Sequence, residues 1–146
     1  MNVDKLRAQL EIDEGVVYEI YNDHLGYPTF GIGHLVLDSD PEYGQEVGTT
    51  VSEVRVHEVF EKDVQVVLED CEICFPSWAD YPEEAKQVFA NMMFNMGRTR
   101  LSKFKKMIAG AEANDWKESA SQGRDSRWYN QVTNRAERLM SRLENV

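Results

Sequence analysis

Strand-forming residues gather in one short stretch of this chain, residues 16–37, and helical periodicity governs most of what lies on either side. Val3, Leu6 and Leu10 recur at three- and four-residue spacing, the apolar stripe of an amphipathic first helix. Gly15 is placed to terminate that helix, which leaves Glu14 in its last turn. VVYEIYN (16–22) is β-branched and aromatic and reads as a strand; HLGYP is a turn, and TFGIGHLVL a second strand, giving a hairpin. Asp38 to Gly48 reads as an irregular connection. Ser52 is an N-cap for a helix over about 53–74, with Val56, Val59, Phe60, Val64 and Val67 on one face, and Pro76 stops it. Pro82 sits at the first turn of EEAKQVFANMMFNMG, which ends at Gly97, and further helices are expected at about 101–110, 113–121 and 134–145. Strands confined to the first third predict an α+β fold. The expected organisation is a single domain over 1–146. It has a small β-hairpin lobe at about 13–52, a connecting helix at about 53–74, and a helical lobe at about 75–146 joined by the N-terminal helix 3–14.

Composition narrows the class further. The chain is 42% hydrophobic and 29% charged over 146 residues, enough for one real core. No apolar run approaches the ~20 residues of a membrane span, and the charged N-terminus is not expected to act as a secretory signal. Residues 1–90 hold 5 Lys/Arg and 20 Asp/Glu, whereas residues 91–146 hold 11 and 6. The acidic part repels polyanions such as nucleic acid, and the basic end could face an anionic surface. Scattered as they are, these charges are read first as solvating exposed helix faces. Cys71 and Cys74 are spaced CxxC on a helical stretch with no second ligand pair, so two reduced thiols are expected rather than a zinc site. His24, His34 and His57 also lack metal-ligand spacing, and no metal or cofactor is expected.

The segment that carries chemistry is DEGVVYEIYNDHLGYPTFGIGH (13–34). It sets two carboxylates, Glu14 and Asp23, either side of the first strand, with the hydroxyl of Thr29 beyond the turn. Two acids and a hydroxyl facing one cleft suffice for acid-catalysed attack of water on a glycosidic bond. Chance competes with that reading, because 26 of the 146 residues are acidic and Thr favours strands anyway. Two details favour chemistry. Glu14 falls at a helix C-terminus, where the macrodipole disfavours negative charge. Gly31 and Gly33 interrupt a strand at a cost in stability, which close approach of another group would explain.

These residues resemble the phage-type lysozymes, the muramidases of T-even-like phages. The likeness rests on IDEG, IYND, GY-T-GIGH, FEKDV (60–64), NMMFNMG (91–97) and SRWYNQVTNRAER (126–138), in that order along most of the chain. The resemblance implies a lysozyme-like fold and hydrolysis of the β-1,4 bond between N-acetylmuramic acid and N-acetylglucosamine in bacterial peptidoglycan. Glu14 would be the general acid, and Asp23 and Thr29 would hold a water on the opposite sugar face, giving inversion. An inverting pair predicts carboxyl groups about 6.5–9.5 Å apart. By the same resemblance Arg135 pairs with the catalytic glutamate. His34 and Asp63 form a structural salt bridge, and Leu35, Phe94 and Asn95 contact substrate. Trp128 and Tyr129 are expected as core anchors.

The connection from His34 to Ser52 is shorter than in the T-even-like members, and the acidic balance departs from the basic ones. Neither removes a catalytic position. The competing readings are a lysozyme-fold module that binds peptidoglycan, or serves in a virion, without cleaving it; a zinc peptidase; and an acidic adaptor. The protein is expected to be a monomer that collects in the host cytoplasm and reaches the periplasmic wall with the help of a separate membrane-permeabilising protein.

Overall fold

The computed structural model describes residues 1–146, and its elements have the α+β content expected. In chain order they are α1 (Val3–Glu14), β1 (Val17–Asn22), β2 (Pro28–Gly31), β3 (His34–Leu35), α2 (Glu53–Cys74), α3 (Glu83–Met96), α4 (Arg98–Leu101), α5 (Lys105–Glu112), α6 (Trp116–Arg124), α7 (Arg127–Gln131) and α8 (Thr133–Glu144). A single 3₁₀ turn, Trp78–Asp80, precedes α3. The residues form two compact units: Arg7–Gln65, and Met1–Leu6 together with Val66–Val146. The division falls inside α1 and α2.

The unit Arg7–Gln65 holds all the strands, in the order β1-β2-β3, antiparallel throughout. TFGIGHLVL does not run as one strand, so the expected hairpin is a three-stranded meander. The chain reverses at Gly31–Gly33, where both glycines take positive φ (+66° and +61°), a region that L side chains rarely adopt. β2 then pairs β3 through Thr29↔Leu35 and Phe30↔His34. The residues after β3 return along the free edge of β1: Thr49 O accepts from Ile20 N at 2.9 Å, and Tyr18 O accepts from Val51 N at 3.0 Å. That return covers an edge that would otherwise expose unpaired backbone groups. Ser52 Oγ caps the start of α2 by accepting from Arg55 N at 3.1 Å. Leu10, Ile20, Phe30, Ile32, Val51, Val56, Val59, Phe60 and Val64 are buried, the α2 members on the face read from the sequence.

The other unit is helical. Phe75, Trp78, Tyr81, Phe89 and Trp116 form an aromatic cluster, with Phe75 and Phe89 stacked at 4.4 Å between centroids. Ser77 and Tyr81 donate hydrogen bonds to the Glu112 carboxylate, which ties the 3₁₀ turn to the end of α5. α5 packs on α6, and α8 packs on both α6 and α3. Ala136, Leu139, Met140 and Leu143 are the buried stripe of α8. Gly110 lets α5 approach α6, since a Cβ there would lie 2.8 Å from Ser119 N. Cys71 is buried and Cys74 half-buried, both as free thiols. Burial holds both in the neutral form, against the opposing pull of Arg98 at Cys74.

Candidate active site

Glu14 is set by the end of α1. Gly15 N–H returns to the Glu11 carbonyl at 2.9 Å and closes the helix there, so the Glu14 side chain leaves from the final turn. The carboxyl group lies against Gly33: a Cβ on that glycine would sit 2.8 Å from Glu14 Oε1 and 3.3 Å from Glu14 Cβ. The close approach expected of the strand glycines is therefore made, and the group that approaches Gly33 is Glu14 itself. At Gly31 the neighbour is Val56 of α2, 3.1 Å from a hypothetical Cβ.

Asp23 and Thr29 are fixed by one turn. Asp23 Oδ1 accepts from Leu25 N and Tyr27 N, both at 2.9 Å, and Asp23 N donates to Tyr27 O at 2.9 Å. An aspartate that folds its own turn in this way has little rotational freedom left. Its Oδ2 makes no hydrogen bond within the protein. Thr29, only 5% exposed, donates its hydroxyl proton to the Tyr27 carbonyl at 3.0 Å. That leaves the Thr29 oxygen able to accept but not donate. Tyr27 thus holds both side chains, one through its N–H and the other through its C=O.

Both carboxylates act electrostatically on Tyr21. Burial, followed by the charges of Glu14 and then Asp23, raises the Tyr21 phenol above its ordinary value. Tyr21 is paired directly with Thr29 across β1 and β2, and Thr29 with Leu35 across β2 and β3. Directly opposed residues share a sheet face with Cβ atoms about 4.5–5.5 Å apart, so Tyr21, Thr29 and Leu35 form one row. Leu35 is 47% exposed and is the apolar end of that row. Tyr21 is a residue of this candidate site that the sequence reading does not single out. Its signal was available in the strand register, since it lies two residues before Asp23 and opposite Thr29.

His34 faces the other side, beside Phe30, at 5.1 Å between ring centroids. Its Nδ1 is 2.7 Å from Asp63 Oδ2, the expected partner, and its Nε2 is 2.7 Å from Asp40 Oδ2, which was not expected. Burial opposes a charge on the ring, but hydrogen bonds to Asp63 and Asp40 outweigh it, and the His34 pKa is raised. Asp40 also accepts from Leu37 N at 2.8 Å and lies 3.4 Å from Arg55 Nη2. Arg55 in turn makes a two-pronged contact with Glu42, at 3.0 and 2.9 Å. The His–Asp pair is thus one end of a chain of charges that ties the 36–48 connection to α2.

Phe94, Asn95 and Arg135 belong to the helical unit. Phe94 and Asn95 are half-buried near the end of α3. Asn95 Oδ1 accepts from Trp128 Nε1 at 2.8 Å, which anchors the 2%-exposed Trp128. Tyr129 is only half-buried, with its hydroxyl donated to Glu137 at 2.8 Å. On α8, Arg135 Nε donates to Asn91 Oδ1 at 2.9 Å and Nη2 to Asn91 O at 3.4 Å, so α3 orients the guanidinium. No group of three or more His, Cys, Asp or Glu side chains is placed to hold a metal ion.

The sequence is similar to those of known proteins. The sequence model of the phage lysozyme family matches residues 11–145. Two proteins of Dictyostelium discoideum, probable T4-type lysozymes 2 and 1, are 31% and 28% identical over alignments covering 97% of this chain and 95% of each of them. The pre-baseplate central spike protein Gp5 of Enterobacteria phage T4 is 30% identical over 92% of this chain, which spans only 26% of that protein's length.

Proposed function

The chain belongs to the phage lysozyme family, and on that premise we propose that it is a muramidase that cleaves the β-1,4 bond between N-acetylmuramic acid and N-acetylglucosamine in bacterial peptidoglycan. Glu14 is the general acid. It gives its proton to the glycosidic oxygen as the bond to the anomeric carbon breaks. A water held from the opposite sugar face donates one proton toward the Thr29 oxygen, whose own proton is committed to the Tyr27 carbonyl. The same water gives its second proton to Asp23 Oδ2 as it attacks. The product has inverted configuration, and exchange with solvent returns the proton from Asp23 to Glu14. The observation that carries this reading is the position of Tyr21, which feels the charges of both carboxylates and lies directly opposite Thr29.

The test compares wild type with Glu14→Gln and Asp23→Asn on purified sacculi and on outer-membrane-permeabilised Gram-negative cells. Each substitution is expected to cost about 10²–10⁴-fold in rate, with both proteins folded by circular dichroism. Release of new reducing ends, rather than amino groups, distinguishes a muramidase from a peptidase. The anomer first seen by NMR reports inversion. Wild-type lysis by the Glu14→Gln protein would sink the mechanism.

The match to the spike protein supports a place in a larger assembly, and the competing reading of such a place is a lysozyme-fold module that does not cleave the wall. Under it, wild type would bind sacculi yet release no reducing ends.

A further inference from the structure

The formal charge of −10 is unevenly held. Arg7–Gln65 contains 3 Lys/Arg and 13 Asp/Glu and so carries all of it, while the helical unit contains 13 of each and is neutral. Within the neutral unit no Asp or Glu occurs between Glu84 and Glu112, yet six Lys/Arg do. Five of these, Arg98, Arg100, Lys103, Lys105 and Lys106, fall in nine residues that run through α4 into the first turn of α5, and all five are exposed. They are a block rather than the scatter read from the composition.

Their compensation is poor. Arg98 Nη1 lies 3.2 Å from Asp70 Oδ1, and Arg100 Nη2 donates at 3.0 Å to Gln131, which is neutral. The ammonium groups of Lys103, Lys105 and Lys106 have no ion pair or hydrogen bond. By contrast Arg7, Arg55, Arg124 and Arg142 each meet a carboxylate. Beside the block is an open depression of ≈ 410 Å³ lined by Ile73, Cys74, Arg98, Thr99, Ser102 and Ile108, and Ile73 is 63% exposed at its edge. The acids of α2 within one turn of Ile73 and Cys74 are Glu69, Asp70, which Arg98 engages, and Glu72.

We propose that this face docks on the surface of an anionic phospholipid bilayer, with the three unpaired lysines on lipid phosphates and Ile73 at the headgroup boundary. A soluble polyanion would satisfy the lysines alone. A lipid surface satisfies the exposed apolar rim as well, as in other basic–apolar interfacial sites. The unit that bears the face is neutral, so local attraction acts within about 8–10 Å at ordinary salt while more distant acids are screened. The inference is independent of the hydrolytic reading.

The test is cosedimentation with vesicles of phosphatidylcholine alone and with phosphatidylglycerol added, at low and high salt. Wild type is expected to bind only the anionic vesicles, and salt to reverse the binding. Lys103→Gln/Lys105→Gln/Lys106→Gln is expected to weaken binding by roughly 10-fold or more, and Ile73→Ser to weaken it less. Both should leave hydrolysis of purified sacculi unchanged. A control triple, Lys5→Gln/Lys62→Gln/Lys117→Gln, removes the same charge elsewhere and should bind as wild type does. Absence of wild-type binding overturns the proposal, as does equal binding to both vesicle types. Equal loss in the two triples overturns it too, because that would make net charge the cause. Light scattering that shows self-association through the same lysines would assign the face to a second copy instead.

Discussion

At the scale of single residues, Gly33 decides where the acid sits. The pattern TFGIGH announced a cost in the strand, but no pattern says which group will use the space. That depends on α1 ending at Gly15, and only the folded unit shows the Glu14 carboxyl filling the volume a Cβ would take. Gly33→Ala is therefore expected to do two things. The positive φ costs about 1–2 kcal/mol in stability, and the displaced carboxyl lowers turnover by about 10–100-fold, as small misplacements of reacting groups do. Gly44→Ala separates the effects, because Gly44 has φ +82° with no atom within 4 Å of a Cβ and lies outside the turn that holds Asp23 and Thr29. It should lose similar stability by urea denaturation yet keep its activity on sacculi. If both variants keep activity, Gly33 is a turn residue and nothing more. Asp23 and Thr29 were legible as candidates, but their shared anchor at Tyr27 was not, since it depends on the turn's hydrogen bonds.

At the scale of elements, long segments with a cap and a stripe were legible and short ones were not. The stop of α1, the Ser52 cap of α2 and the Pro82–Gly97 limits of α3 follow local chemistry. TFGIGHLVL reads as one strand because its β-forming residues outweigh two glycines in any local count, yet the chain reverses at those glycines. α7 was unforeseen because its start depends on the Ser126 side chain accepting from Tyr129 N, and Val132 breaks it from α8 with φ −128°. Asp40 was invisible for a third reason: it lies in an irregular connection and finds His34 only when β3 and α2 are in place.

That contact makes stability depend on pH from both sides. His34 has a raised pKa, so its contribution is complete below the ordinary histidine value of about 6.5 and is lost as pH rises through the folded value. Asp40 is lowered: burial raises it, but the Leu37 N–H, His34 and Arg55 more than offset that. Its contribution is present above the ordinary carboxylate value and is lost as pH falls through the folded one. The cluster is therefore most stabilising between about pH 4 and 6.5. His34→Gln should cost about 3–5 kcal/mol there, the usual effect of removing one member of a buried pair, and flatten the decline above pH 6.5. Thermal denaturation across pH tests this, and a variant that keeps the wild-type slope would show that His34 is not the titrating group. Gly110→Ala probes the helical unit alone. Its Cβ would meet backbone at Ser119, so a loss of about 1–3 kcal/mol is expected by overpacking.

At the scale of the whole molecule, the asymmetry of charge bears on how substrate arrives. Peptidoglycan stem peptides carry free carboxylates, and the unit that holds Glu14 and Asp23 carries the full charge of −10. The long-range field over that unit therefore opposes approach, the reverse of the steering that speeds association of opposite charges. Close contacts are little screened, but the distant part of the repulsion decays over about 10 Å at 0.1 M salt. Raising ionic strength from about 10 to about 150 mM should accordingly increase kcat/KM on purified sacculi, by about two- to five-fold, with little change in kcat. Asp38, Glu46 and Glu53 are exposed acids of this unit outside the site row, with no ion pair of their own. Their triple neutralisation, Asp38→Asn/Glu46→Gln/Glu53→Gln, should raise kcat/KM at low salt toward the high-salt value and flatten the salt dependence. Activity that falls steadily with salt from the lowest concentration would mean that attraction governs encounter. The basic face of the helical unit would then dominate the molecule's field despite the neutrality of that unit.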